Sequence, residues 1–161
     1  MEEKVKMVSV AKKGIIKKVL PHRGRWLLVD EILEVNREKR EIIASKIFSA
    51  KECEGHFPPP LGLVVPGHLI AEALAQAAGI SLILLRGGSL RNLKRNELKM
   101  PFLVGTEIQF HSPIFPLEKV ILKGKFLGEK MGVNCFEVKA YVEKKLRAKG
   151  KIKIVLKDWV I

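Results

Sequence analysis

From 69 to 85 the chain is apolar almost without a break, and only Glu72 and Gln76 interrupt it strongly. Pro66-Gly67 stands at the entrance of this run and Gly87-Gly88 at its exit. Proline's fixed φ suits a helix start, and glycine's freedom at positive φ suits a helix end. The pattern predicts one helix from Pro66-Gly67 to about Arg86, with that arginine placed favourably at the negative end of the dipole. Beyond it the periodicity shortens and predicts strands at 102–111, 119–126, 133–143 and 149–156, with Glu129-Lys130-Met131-Gly132 as a hairpin turn. Upstream, 12–20 is a short basic helical stretch stopped by Pro21, and 26–35 and 40–49 read as a strand hairpin turning at Asn36-Arg37-Glu38-Lys39. A Pro/Gly-rich loop fills 50–66, and 91–99 is a basic connector. One apolar helix against a mostly antiparallel sheet is an α+β layout, here a single domain over 1–161. The helix is apolar nearly all round, so a flat sheet would leave part of it bare. A curved sheet wrapping it, or a second subunit, would cover the rest.

Composition narrows the classes. With 161 residues, 47% hydrophobic and 29% charged, the chain is of globular type and neither disordered nor collagen-like. Cys53 and Cys135 are too few for a disulfide framework and lack a CxxC partner for zinc. Lys+Arg number 30 against 17 Asp+Glu, a net charge of +13, which attracts nucleic acid, an anionic membrane or an acidic protein. Aromatics at 6% and the lack of zinc-finger spacing or an RNP1-like motif speak against nucleic acid. Plentiful Lys and Glu with scarce Gln and Asn lean toward a thermophilic source. The charged start, Met1-Glu2-Glu3-Lys4, is unlike a secretory signal. A carboxylate inside the apolar run disfavours a membrane span, so a cytoplasmic protein with a buried helix is expected.

The chemistry candidates sit on that helix and just before it. His68, Glu72 and Gln76 are spaced i, i+4, i+8 along one face. A carboxylate on an otherwise apolar helix is expected to carry a raised pKa, as a general acid at neutral pH requires. A structural role bonding a loop backbone is the competing reading for Glu72, and it is favoured for Gln76 and His68 taken alone. His56 stands in the stiff Gly55-His56-Phe57-Pro58 turn, where an imidazole can accept a proton. His22, Arg23 and His111 read as structural. Cys53, three residues before His56, reads as an inert thiol. No metal or other cofactor is expected, because the histidines form no ligand-spaced cluster.

Together these segments resemble a known family. Gly55-His56-Phe57-Pro58, then Val65-Pro66-Gly67-His68-Leu69-Ile70-Ala71-Glu72-Ala73-Leu74-Ala75-Gln76-Ala77-Ala78-Gly79, is similar to the signature of the (3R)-hydroxyacyl-[acyl carrier protein] dehydratases of FabZ type. Leu20-Pro21-His22-Arg23 with Leu27-Leu28-Val29-Asp30 resembles that family's opening motif, and Phe102-Leu103-Val104-Gly105 through Phe110 and Pro113 its first strand after the helix. The resemblance implies a hotdog fold and a homodimer, with assembly into a trimer of dimers left open. It implies His56 as base and Glu72 as acid, meeting across the dimer at an acyl tunnel. The Gly67 or His68 N–H would meet the thioester oxygen, and Gln76 would hold a water. It implies an acidic acyl carrier protein as partner, steered by a basic rim for which Arg86, Arg91, Lys94, Arg95 and Lys99 are candidates. The chain departs from the pattern in a His56–Glu72 stretch two residues longer, in Pro59 for a glycine, in His68 for a small or apolar residue, and in Pro116-Leu117-Glu118 for Pro-Gly-Asp. A thioesterase on the same fold and a non-catalytic acyl-binding or nucleic-acid-binding module are the alternatives.

Overall fold

A computed structural model describes residues 10–57, 59–87, 90, 92 and 99–158. Seven strands form one antiparallel sheet: β1 (Ala11–Lys12), β2 (Glu31–Asn36), β3 (Glu41–Ile47), β4 (Met100–Phe110), β5 (Lys119–Lys130), β6 (Val133–Val142) and β7 (Lys145–Lys157). Their order across the sheet is β1-β2-β3-β5-β6-β7-β4. Helix α1 (Lys13–Val19) buries Ile16 and Val19, and the long helix α2 (Gly67–Leu85) runs in the curl of the sheet against β3 to β7.

The alternating strands supply the inner surface. In β6 every second residue is buried: Asn134, Phe136, Val138, Ala140 and Val142. Leu122 from β5 and Ile152 and Ile154 from β7 join them beneath Leu74, Ile80 and Leu82 of α2. Each such fully buried aliphatic chain stabilises by about 1.5–3 kcal/mol. Small residues set the spacing. A side chain at Gly79 would meet the Pro101 ring at 3.0 Å, and one at Gly124 would meet Ile42 at 3.2 Å, so the sheet can close on the helix. Arg86 and then Gly87, at φ +92°, end α2 as the sequence predicts. By length and composition α2 could cross a membrane, but it lies mostly buried in the fold.

Two features differ from the expectations. The apolar stretch 26–35 is strand only from Glu31. Gly24–Trp26 is a 3-10 turn, and Leu27, Leu28 and Val29 follow it buried, without joining a ladder. β7 begins earlier, at Lys145, because Glu143 and Lys144 take φ of +47° and +66° and make a two-residue hairpin turn without glycine or asparagine. Leu117, in the place where the resembled family carries glycine, keeps a left-handed φ of +70° and stays 74% exposed. The hairpin at Met131-Gly132 matches the prediction, with φ of +52° and +79°.

β4 is an edge of the sheet, and Phe102, Leu103, Val104 and Phe110 on it are each more than two-fifths exposed. An edge strand of 11 residues with apolar side chains open to water is the kind of surface that favours contact with another chain.

Candidate active site

His56 is placed by a buried ion-pair cluster one turn upstream. Lys46, almost wholly buried on β3, meets Glu52 at 2.9 Å and Asp30 at 3.8 Å. Ser49 and Glu52 close a capping box around the 3-10 turn Ala50–Cys53. Burial pushes the Glu52 carboxyl up, but bonds from Lys46 and Ser49 outweigh it and hold it below its ordinary value. Cys53 is fully buried and its thiol is pushed up, first by burial and then by Glu52, which suits the inert role read for it. His56 N–H then bonds the Cys53 carbonyl at 3.0 Å.

The ring of His56 is fixed as well. Its Nδ1 lies 2.8 Å from the Val64 carbonyl, and its face meets Phe57 edge-on at 4.6 Å. A carbonyl only accepts, so Nδ1 carries the hydrogen and Nε2 is left with the lone pair of a base. Phe57 holds this turn at φ +56°, a left-handed conformation uncommon for an aromatic residue. His56 opens on a cavity of about 1170 Å³, also lined by Arg25, Trp26, Lys51, Pro66, His68 and others.

Glu72 lies elsewhere. It lines a second cavity of about 270 Å³ with His22, Gln76 and the Met100, Pro101, Phe102 and Leu103 stretch of β4. Gln76 is buried and fully engaged: Oε1 accepts from Leu28 N–H at 2.8 Å, and Nε2 donates to the Trp26 carbonyl at 2.7 Å and to Glu72 Oε1 at 2.9 Å. Both amide hydrogens are committed, so Gln76 braces Glu72 and the 26–28 backbone. His22, read from sequence as structural, places Nε2 3.3 Å from the same Glu72 oxygen. Its signal was its place in the Leu20-Pro21-His22-Arg23 motif.

The raised carboxyl expected at Glu72 is reversed in the single chain. Burial pushes it up, but bonds from His22 and Gln76, with the charge of His22, bring it below its ordinary value. The side chain keeps a third of its exposure, which limits what burial can do.

The remaining candidates divide. Gly67 and His68 start α2, where backbone N–H groups have no partner within the helix. Gly67 sits under the Phe110 ring, which a side chain there would meet at 3.1 Å, and His68 projects exposed at the His56 cavity. Arg86 is tied to Glu129 and, at 2.9 Å, to Asn134, so its guanidinium pins the helix end to the β5–β6 hairpin. Lys99 pairs loosely with Asp158 at 3.7 Å. Arg91, Lys94 and Arg95 lie outside the described residues. Among the described residues no group of three or more His, Cys, Asp or Glu could hold a metal.

Residues 20–151 match the FabA-like domain. The chain belongs to the FabA-like family. A 3-hydroxyacyl-[acyl-carrier-protein] dehydratase FabZ of Ruminiclostridium cellulolyticum is 38% identical over 144 residues, covering 88% of this chain and 94% of that protein. The enzyme of the same description from Thermus thermophilus is 37% identical over 142 residues, with the same coverage. Among solved structures, a dehydratase heterocomplex from Xenorhabdus doucetiae superposes with a TM-score of 0.68 at 15% identity, over 89% of this chain and 91% of that one. An uncharacterized protein from Pyrococcus horikoshii does so at 0.63 and 14% identity, over 95% and 97%. The FabA-like chain thus has the hotdog fold expected from its sequence.

Proposed function

We propose that this FabA-like protein removes water from a 3-hydroxyacyl thioester on acyl carrier protein, giving the trans-2-enoyl thioester of fatty-acid synthesis, at a site shared by two copies of the chain. The observation that carries the shared site is the separation of base and acid: within one chain His56 and Glu72 line different cavities. The Glu72 cavity is walled by the exposed apolar edge of β4, where a second copy would dock. Its loop would bring the second His56 toward Glu72.

In this reading His56 Nε2 takes the C2 proton, electrons move to form C2=C3, and the C3–O bond breaks as Glu72 protonates the departing hydroxyl. Imidazolium and carboxylate remain, and proton return resets them. General acid–base steps of this kind contribute about 10²–10⁴ each. The Gly67 and His68 N–H groups would meet the thioester oxygen, a contribution of about 10²–10³ per donor. Cover from the second copy and the acyl chain would add burial at Glu72, the influence that drives its carboxyl upward toward the protonated form. Arg25 and Lys51 at the mouth of the His56 cavity supply positive charge beside the site, more directly than the engaged Arg86.

The test is dehydration of 3-hydroxyacyl thioesters by His56→Ala, by Glu72→Gln and by the two variants refolded together. Each alone should lose at least about 10²-fold in rate. A random mixture should regain about a quarter of the wild-type sites, because half of its dimers hold one intact pair. Near-normal turnover by either variant removes the residue from the mechanism. A mixture that stays inactive removes the shared site. Release of free thiol in place of water would make the protein a thioesterase.

A further inference from the structure

We propose that His22 is a positioning residue that, with Gln76, holds Glu72 by one carboxyl oxygen and leaves the other to carry the proton that is transferred. The proposal rests on Glu72 as the acid. Among the described residues, both hydrogen-bonding contacts to the Glu72 carboxyl fall on Oε1: His22 Nε2 at 3.3 Å and Gln76 Nε2 at 2.9 Å. Both donors approach that oxygen, so a proton added to the carboxyl is best placed on Oε2, away from them. The arrangement turns a rotating two-oxygen acid into one with a single working end. The proton then starts from a defined point, which is what a near-attack geometry requires.

The sequence builds His22 into this place with little freedom. It follows α1 by way of Leu20 and Pro21, and the Arg23 guanidinium clamps the connection by bonding the carbonyls of Lys17, Leu20 and His22 at 2.9, 2.8 and 2.8 Å. Donation to Glu72 requires the hydrogen on Nε2. Nε2 carries it in the neutral ring that donates and in the charged ring alike, and Nδ1 at the opposite end is buried with no hydrogen-bond partner. Such a buried, unpartnered group persists where the opposite end of the ring has a task. His22 and Glu72 are the two titratable groups among the described residues lining this cavity. The rest of the wall, from α2, β4 and β7, is apolar apart from Gln76. In the shared site the second copy's His56 would also face Glu72.

The experiment compares His22→Phe, which keeps a ring but no donor, with His22→Gln, which restores an N–H at similar reach, with Glu72→Gln alongside. The readouts are kcat, KM, the pH profile of kcat/KM and the melting curve of each full-length variant. His22→Phe should lower kcat by about ten- to a hundredfold with KM little changed, as expected for a slightly misplaced group. It should also move the limb on which the rate falls with rising pH to higher pH. The donor it lacks favours the carboxylate form, and activity needs the protonated one. His22→Gln should recover most of the rate and return the limb to its place. A wild-type profile in a folded His22→Phe overturns the proposal, as does equal impairment of both variants with an unmoved limb. If His22→Phe does not fold, His22→Gln decides: a retained limb supports the proposal, and inactivity in a folded protein overturns it. An active Glu72→Gln brings down the acid assignment itself, whereas an inactive one with an insensitive His22→Phe brings down this inference alone.

Discussion

Replacing Gln76 by Glu changes almost no volume but turns a donor into an acceptor at a buried point. The oxygen that accepts from Leu28 N–H survives. The other atom now faces two acceptors, the Trp26 carbonyl and Glu72 Oε1, which it previously supplied at 2.7 and 2.9 Å. Even protonated, the new carboxyl can serve only one of them, and a lost donor to a buried acceptor costs about 1–3 kcal/mol. Ionised, it would put a second negative charge against Glu72, so the pair holds a proton well above the ordinary carboxylate range. The sign follows from linkage. The folded state keeps a proton that the unfolded chain releases, so the variant loses stability relative to wild type as pH rises above the unfolded value. The slope is about 1.36 kcal/mol per pH unit until the folded pair titrates, or about 2.7 kcal/mol between pH 5 and pH 7. For a chain of this length that is a further fall in melting temperature of about 5–11 °C across those two units. Thermal unfolding of both proteins at pH 5, 6 and 7 measures it. A variant whose deficit is the same at pH 5 and pH 7 would refute the claim that Gln76 points its amide nitrogen at two acceptors.

Two further outcomes follow from the scaffold. Glu52→Gln should destabilise the His56 loop by about 1–3 kcal/mol at neutral pH by weakening its charge-assisted bonds. Because the Glu52 carboxyl sits below its ordinary value in the fold, its contribution is present above the unfolded value and lost as pH falls through the folded one; denaturation midpoints at pH 7 and pH 3 should converge for the two proteins. Gly150→Ala should lower stability by about 4 kcal/mol or more, since its new methyl group would run into the Glu107 carbonyl and backbone across the β4–β7 pair. Denaturant unfolding measures the loss, and a near-wild-type midpoint would contradict that approach of the two strands.

The central helix and its ends were legible in the sequence, because a 17-residue apolar run between Pro66-Gly67 and Gly87 has few other conformations open to it. The Gly55-His56-Phe57 turn and the lone carboxylate at 72 stood out for the same kind of reason: each breaks a strong local pattern. The 27–29 stretch reads as strand in the sequence because a buried segment outside the ladder carries the same apolar signal as a ladder strand. Only the fold decides that the backbone of Trp26 and Leu28 bonds the Gln76 side chain. Sequence order likewise says nothing of β4 lying at the sheet edge beside β7, and so nothing of its open apolar face. The i, i+4, i+8 spacing brought His68, Glu72 and Gln76 to one side of α2. Each step of four residues turns about 40° further round the axis, and the loops that roof the helix assign His68 to one cavity and the other two to the next. The charge state of Glu72 was the least legible. It is a balance between burial and two donors, and one of them, His22, lies 50 residues away along the chain and reaches it only after folding.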